Sequence, residues 1–125
     1  LAVTVLTNFD THDLHDMGIQ RSVQDLVMAR ALLASEVGCD GVVASGEEPA
    51  ILRPKVGPRF LIVTPGVRPA GKGVDDHHRA TTPTQAISAG ADYLVVGRPI
   101  RDASDPAAAA AAILAEMQAA FDARG

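Results

Sequence analysis

The sequence is poor in cysteine, in long apolar runs and in basic charge. Its one cysteine, Cys39, allows neither a disulfide framework nor the paired spacing of a zinc site, which fits a reducing cytoplasm. No apolar run approaches the roughly 18 residues that a membrane-spanning helix needs. The net charge of −4 argues against general binding to nucleic acid or to a membrane surface. We therefore expect neither kind of partner, and we interpret Cys39 as a buried structural thiol.

The residues that are present suffice for one hydrophobic core. Hydrophobic residues make up 47% of the 125 positions and charged residues 21%, a balance typical of a single globular domain. The chain begins at Leu1, inside an apolar run and with no initiator methionine. We therefore expect the sequence to be a piece of a longer chain.

Short apolar runs alternate with helical patterns along the chain. The runs are continuous, which is typical of buried parallel strands, and they predict strands over residues 2–6, 41–44, 60–63 and 93–96. Alternation of strand and helix predicts an α/β fold with a parallel sheet and right-handed crossovers. Two architectures fit: a small open doubly wound sheet, or half of an eight-stranded barrel, since such barrels typically have about 250 residues.

Capping residues bound the predicted helices. Ser22 caps the first helix and Gly38 ends it, whereas Thr82 and Asp105 each precede a proline in the first helical position. These signals, with the acidic pair before Pro49, predict helices over residues 23–37, 47–53, 83–89 and 106–123. The predicted packing faces are Val23, Leu26, Val27, Ala31 and Leu33 in the first helix, and Ile113, Leu114, Met117 and Phe121 in the last.

Two of the strands end in loops that carry an arginine. The third is followed by Arg68 and the fourth by Gly97 and Arg98, and both architectures gather functional groups at the carboxyl ends of strands. The connection over residues 70–81 has no periodicity of its own, which is typical of a functional lid or of disorder. It holds further cationic or hydrogen-bonding residues: Lys72, His77, His78 and Arg79. The pattern predicts one anion site built from neighbouring loops.

Other polar residues have simpler interpretations. We interpret Ser45 as structural, and Glu47 and Glu48 as charges in the first turn of a helix, where the macrodipole favours acids, with no acid–base role. The segment over residues 12–16 holds two histidines and two aspartates, but it lacks the spacing of a strong metal site. We interpret it as solvated charge.

Five segments together resemble one known family over the full length of the chain. They are VTVLT (3–7), DGVVAS (40–45), VTPGVRP (63–69), Arg79 followed by Thr82-Pro83, and AGADYLVVGRPI (89–100). The sequence resembles the C-terminal half of orotidine 5′-phosphate decarboxylase. The VTPGVRP and YLVVGRPI stretches at the family's spacing are the specific part of this resemblance.

The resemblance implies a fold and an activity. It implies a TIM (β/α)8 barrel of which residues 1–125 form the C-terminal half, about the last four βα units. It also implies the conversion of orotidine 5′-phosphate to UMP and carbon dioxide, a step of pyrimidine biosynthesis, without cofactor or metal. The family works as a homodimer, so a second copy and the missing N-terminal half of the barrel are the implied protein partners.

The resemblance also implies roles for individual residues. Arg98 and the backbone N–H of Gly97 are expected to hold the 5′-phosphate together with Arg68, and Thr7 is expected to contact the nucleotide. His77 stands where the family usually has glutamine, and it carries over as a substrate contact. A histidine differs from glutamine because its charge depends on pH.

The family's catalytic motif is missing from this chain. The family relies on Asp-x-Lys-x-x-Asp, whereas the only lysines here are Lys55 and Lys72 and neither lies in such a motif. We therefore expect no catalytic residue in this chain. Two alternatives stay open: a phosphate-binding half-barrel without catalysis, and another phosphosugar-binding barrel enzyme.

Overall fold

The computed structural model describes residues 1–69 and 81–125. Strands and helices alternate along these two ranges, with two pairs of consecutive helices. The elements in chain order are β1 (Ala2–Val3), α1 (Thr11–Asp16), α2 (Val23–Glu36), β2 (Gly41–Val43), α3 (Pro49–Val56), β3 (Leu61–Thr64), α4 (Pro83–Ala89), β4 (Tyr93–Leu94), α5 (Arg98–Arg101) and α6 (Pro106–Arg124).

The four strands form one parallel sheet in the order β1-β2-β3-β4. This confirms the parallel sheet that the strand–helix alternation predicted. Three of the strands (β1, β2 and β4) are shorter than predicted, and β3 has the predicted length but begins one residue later. Single hydrogen bonds continue beyond the ends of β1 and β4. The N–H of Thr4 donates to Val43 O over 3.2 Å, and the N–H of Val95 donates to Thr64 O over 2.8 Å. The carboxyl ends of all four strands therefore lie along one edge.

The two faces of the sheet differ in what covers them. On one face Val42 and Ile62 are fully buried in a core shared with α2 and α3. The register places the opposite face in a row that runs from Val3 through Val43 and Val63 to Tyr93. In that row Val3 is 59% exposed and Tyr93 58% exposed. An open doubly wound sheet carries helices on both faces, so this one-sided arrangement favours the half-barrel.

Caps set most helix bounds as predicted. The Ser22 side chain accepts from the N–H of Asp25, and the Thr82 side chain accepts from the N–H of Gln85. Gly90 ends α4 in the left-handed region, at φ 115°, which favours glycine. The capping residues therefore located α2, α4 and α6 from the sequence alone.

Several details of the helices were predicted wrongly. Helix α3 begins at Pro49 instead of residue 47, so the acidic pair lies before its first turn, and Pro54 lies inside it. Leu33 is 57% exposed and Leu114 is 64% exposed, because each is rotated away from the buried row of its helix. The buried positions are Val23, Leu26, Val27, Ala31 and Ala34 in α2, and Ile113 and Ala120 in α6.

Three further observations complete the fold. The short helices α1 and α5 lie outside the predicted set, although Asp10 and Asp13 form a capping box that the sequence contains. Cys39 is a free thiol and is half-buried, not fully buried as predicted. No helix within residues 1–69 and 81–125 is both long enough and apolar enough to cross a membrane.

Candidate functional site

Residues that follow β3 hold Arg68 in place through its backbone. Gly66 adopts φ 73°, a conformation that favours glycine and turns the chain out of the strand. Val67 is buried and forms a parallel bridge with Thr81, and the N–H of Arg68 donates to Thr81 O over 2.9 Å. The Arg68 side chain is half-buried. The chain segments on either side of residues 70–80 are therefore joined at Val67, Arg68 and Thr81.

Residues that follow β4 place Arg98 at the start of a helix. Gly97 is the N-cap of α5, and its carbonyl accepts from the N–H groups of Ile100 and Arg101, each over 3.0 Å. Arg98 is half-buried. Since β3 and β4 are neighbouring parallel strands, Arg68 and Arg98 follow the same edge of the sheet on adjacent loops. The two loops of the anion-site prediction are therefore adjacent, and the role of the two arginines as ligands stays a prediction.

Thr7 and His77 are the other two substrate contacts in the prediction. Thr7 is half-buried and follows β1, which is separated from β3 by β2. It therefore belongs to the same edge but not to the same pair of loops. His77 lies outside the described residues, as do the other cationic residues of the 70–80 connection.

Two buried hydroxyls lie at the ends of the middle strands. Ser45 and Thr64 are both fully buried, and within residues 1–69 and 81–125 neither hydroxyl oxygen has a hydrogen-bond partner. Leaving such a group unpaired costs free energy, so an unpaired buried hydroxyl in a site points to a missing partner. The structural role that we predicted for Ser45 does not explain why its buried hydroxyl has no partner. The sequence feature that could have indicated a ligand contact is the Ser-Gly pair at the end of a predicted strand.

Glu48 does not lie in the first turn of a helix, as we predicted, but is buried before it. It is 1% exposed, and its Oε2 accepts from the N–H of Ser45 over 2.6 Å, whereas Glu47 beside it is exposed. The N–H of Glu48 donates in turn to Ser45 O over 3.1 Å. These two bonds close a tight turn over residues 45–48, called the 45–48 turn below.

At the opposite edge of the sheet, where the strands begin, every hydrogen-bond donor of the Arg53 guanidinium group has an acceptor. Arg53 Nη2 lies 2.6 Å from Asp92 Oδ2, and its Nη1 donates to the carbonyls of Gly57 and Phe60, each over 2.7 Å. Nε and Nη2 both donate to Gly90 O, over 3.2 and 2.7 Å. All of the guanidinium donors are therefore used in joining α3, β3 and α4 at the amino ends of the strands, which leaves the carboxyl edge as the place for a ligand.

Neither the acidic segment nor Arg101 adds a ligand site. His12 Nε2 lies 3.7 Å from Asp16 Oδ2 with both side chains exposed, and no group of three metal-ligating residues occurs in the described part of the chain. Arg101 forms an exposed ion pair with Asp102 at 2.6 Å, and this hydrogen bond lowers the pKa of the Asp102 carboxyl.

Comparison with known proteins identifies the family. The family model described as "Orotidine 5'-phosphate decarboxylase / HUMPS family" matches residues 1–113. The chain belongs to this family. The match includes the predicted strands, both arginine loops and the start of α6.

Curated relatives give the same result over a longer range. A protein from Rhodopseudomonas palustris (strain CGA009) named "Orotidine 5'-phosphate decarboxylase" is 58% identical over 120 residues, which are 96% of this chain and 51% of the relative. A protein of the same name from Xanthomonas campestris is 56% identical over 120 residues, 96% of this chain and 49% of the relative. The chain spans about half the length of the curated relatives it matches.

Solved structures agree with the half-barrel. The orotidine 5'-phosphate decarboxylase from Lactobacillus acidophilus aligns with a TM-score of 0.78 at 38% identity, over 93% of this chain and 47% of that one. The enzyme of the same name from Pyrococcus horikoshii aligns with a TM-score of 0.62 at 30% identity, over 81% and 46%. The fold is therefore half of a (β/α)8 barrel, as the resemblance implied.

Proposed function

We propose that this chain is the phosphate-binding half of an orotidine 5′-phosphate decarboxylase. In this proposal the complete barrel converts orotidine 5′-phosphate to UMP and carbon dioxide, and residues 1–125 form the C-terminal half of its one domain. The observation that carries the proposal is the 58% identity to a relative of that name over 96% of the chain. The arrangement of Arg68 and Arg98 on adjacent loops supports it.

The proposed site binds the phosphate with two arginines. Arg68 and Arg98 neutralise the dianion, because guanidinium–phosphate hydrogen bonds are charge-assisted and can be bidentate. The backbone N–H of Gly97 contributes a third donor. Thr7 contacts the nucleotide, and His77 contacts the substrate from the connection after Arg68.

The proposed chemistry divides between the two halves of the barrel. Loss of carbon dioxide leaves negative charge on a ring carbon, which a nearby ammonium group must stabilise and then protonate. Lys55 is exposed near the end of α3, at the amino edge of the sheet, and Lys72 lies outside the described residues. We therefore assign the catalytic lysine and aspartates to the half that this chain lacks.

Phosphate binding contributes to the reaction although it lies far from the reacting carbon. Binding energy from a remote group can close a loop and exclude water, which lowers the barrier for the chemical step. This half supplies that binding energy. We also propose that the complete barrel forms a homodimer in the cytoplasm, takes part in UMP biosynthesis, and requires neither cofactor nor metal.

The experiment that tests the proposal restores a complete barrel. The chain is co-expressed with the first half of the Rhodopseudomonas palustris relative, and both UMP affinity and release of carbon dioxide from orotidine 5′-phosphate are measured. We expect the pair to bind UMP and to turn over substrate, and each half alone to be inactive. A folded pair that binds UMP without turnover favours the non-catalytic alternative. A folded pair with no affinity for UMP contradicts the proposal.

A further inference from the structure

The 45–48 turn contains a buried carboxylate, that of Glu48. Glu48 is the N-cap of α3, and in the described part of the chain its side chain does not cap that helix. Instead its Oε2 turns back to the N–H of Ser45 at 2.6 Å, in a position that is 1% exposed. Removing a carboxylate from water is costly, and Ser, Thr or Asp meets an ordinary capping need. The position therefore calls for an explanation beyond helix capping.

The turn also touches the segment that fixes Arg68. A Cβ atom added at Gly46 lies 1.8 Å from Thr81 Cγ2 and 2.6 Å from Thr81 Cβ, so only glycine fits between the two segments. Thr81 cannot easily give way, because its hydroxyl donates to Gln85 Oε1 over 3.1 Å and its carbonyl accepts from the N–H of Arg68 over 2.9 Å. The shape of the 45–48 turn therefore determines where Thr81, and with it the Arg68 backbone, can lie.

We propose that Glu48 is a positioning residue for the phosphate site, acting through the 45–48 turn on Ser45 at one end and on Arg68 at the other. This inference rests on the proposed function, because it assigns the site to a nucleotide phosphate. In this role Glu48 acts through the turn and is not itself a ligand of the phosphate. The Glu48 carboxylate accepts from the Ser45 N–H and so fixes the Ser45 backbone, which leaves the buried Ser45 hydroxyl available to the ligand. The same contact keeps Gly46 packed against Thr81.

Three substitutions in the restored barrel test this assignment by UMP titration calorimetry. Glu48→Ala removes the acceptor, and we expect UMP affinity to fall about tenfold because the Ser45 N–H loses its partner. Glu48→Gln keeps an oxygen at the same reach, and we expect it to recover most of that affinity. Glu47→Ala is the matched control, since Glu47 is an exposed acid of the same turn, and we expect no change. Circular dichroism at the titration temperature selects variants that are fully folded.

A fourth substitution tests the other end of the turn without removing any charge. Gly46→Ala places a methyl group against Thr81, and we expect UMP affinity to fall by a similar factor while the Glu48 contact to Ser45 is retained. It also keeps the inference testable if Glu48→Ala does not fold.

The possible failures can be told apart. If the unsubstituted barrel does not bind UMP, the proposed function fails. If that barrel binds UMP but folded Glu48→Ala binds it equally well, or if Glu48→Gln is no better than Glu48→Ala, the positioning role alone is wrong.

Discussion

At the scale of single residues, the two edges of the sheet use arginine in different ways. Arg53 at the amino edge donates its hydrogen bonds to backbone carbonyls and to Asp92, so it stabilises the fold. Arg68 and Arg98 at the carboxyl edge are half-buried on loops that leave neighbouring strands. In the sequence, Arg68 and Arg98 differ from Arg53 only in having a glycine shortly before them as well as a proline after them. Arg53 lies in an ordinary helical pattern.

The Arg98 side chain is the most direct test of the proposed phosphate site. We expect Arg98→Ala to weaken UMP binding roughly ten- to hundredfold, because a hydrogen bond to a charged group contributes about 1.5–3 kcal/mol. Arg101→Ala is the matched control in the same helix, since Arg101 is exposed and paired with Asp102. Calorimetric titration of both variants in the restored barrel makes the comparison. Equal affinities would remove Arg98 from the site.

Arg53 should affect stability far more than binding. We expect Arg53→Ala to lower the free energy of unfolding by about 3 kcal/mol, because it removes the cation beside Asp92, which keeps the N–H of Ile62, and takes a donor from several carbonyls. Arg53→Lys should recover little, since an ammonium group cannot reproduce the fork. Urea unfolding measures both, with the exposed Arg59→Ala as control. A loss no larger than that of the control would show that the network contributes little.

At the scale of elements, local signals were more reliable than packing signals. Ser22, Thr82 and Asp105 each cap the helix that the sequence predicted, because capping depends only on a side chain and the next few backbone N–H groups. Leu33 and Leu114 were placed on the wrong helix face, because neighbouring apolar residues offer two possible stripes and only tertiary contacts choose between them. Burial of Glu48 was missed because it also depends on tertiary contacts, which the sequence does not show.

Helix α1 offers a test of a cap that the sequence prediction did not use. The N–H of Asp13 donates to the Asp10 carboxylate and lowers the pKa of that carboxyl below its ordinary value. Because the pKa of Asp10 is lower in the folded chain than in the unfolded chain, its carboxylate stabilises the helix fully at any pH above the unfolded pKa. This stabilisation is lost as the pH falls through the folded pKa. We expect carboxyl-carbon NMR to show an Asp10 midpoint below that of an unstructured peptide. In Asp10→Asn the amide oxygen still caps the helix but does not titrate, so α1 should no longer respond to acid through this position.

At the scale of the whole molecule, the open sheet face agrees with a chain that forms half of a barrel. Four parallel strands with helices on one side leave Val3 and Tyr93 exposed at the two ends of the row and Val43 and Val63 half-buried between them, and the chain spans about half of its relatives. In a complete barrel that row faces a packed interior filled by side chains from all strands. The sequence predicted this half-barrel through strand–helix alternation and motif spacing. It could not show which strand residues face the interior, because continuous apolar runs do not reveal a face.

Association of the two halves should therefore depend on the open face and not on exposed apolar residues in general. Tyr93 is 58% exposed on that face, whereas Val37 is 70% exposed at the end of α2. We expect Tyr93→Asp to prevent association with the first half of a relative, because it places an unpaired charge in an apolar interior at a cost of several kcal/mol. Val37→Asp should associate as the unsubstituted chain does. Sedimentation of the mixed halves measures this, and equal association of the two variants would mean that the row from Val3 to Tyr93 is not the surface that the other half covers.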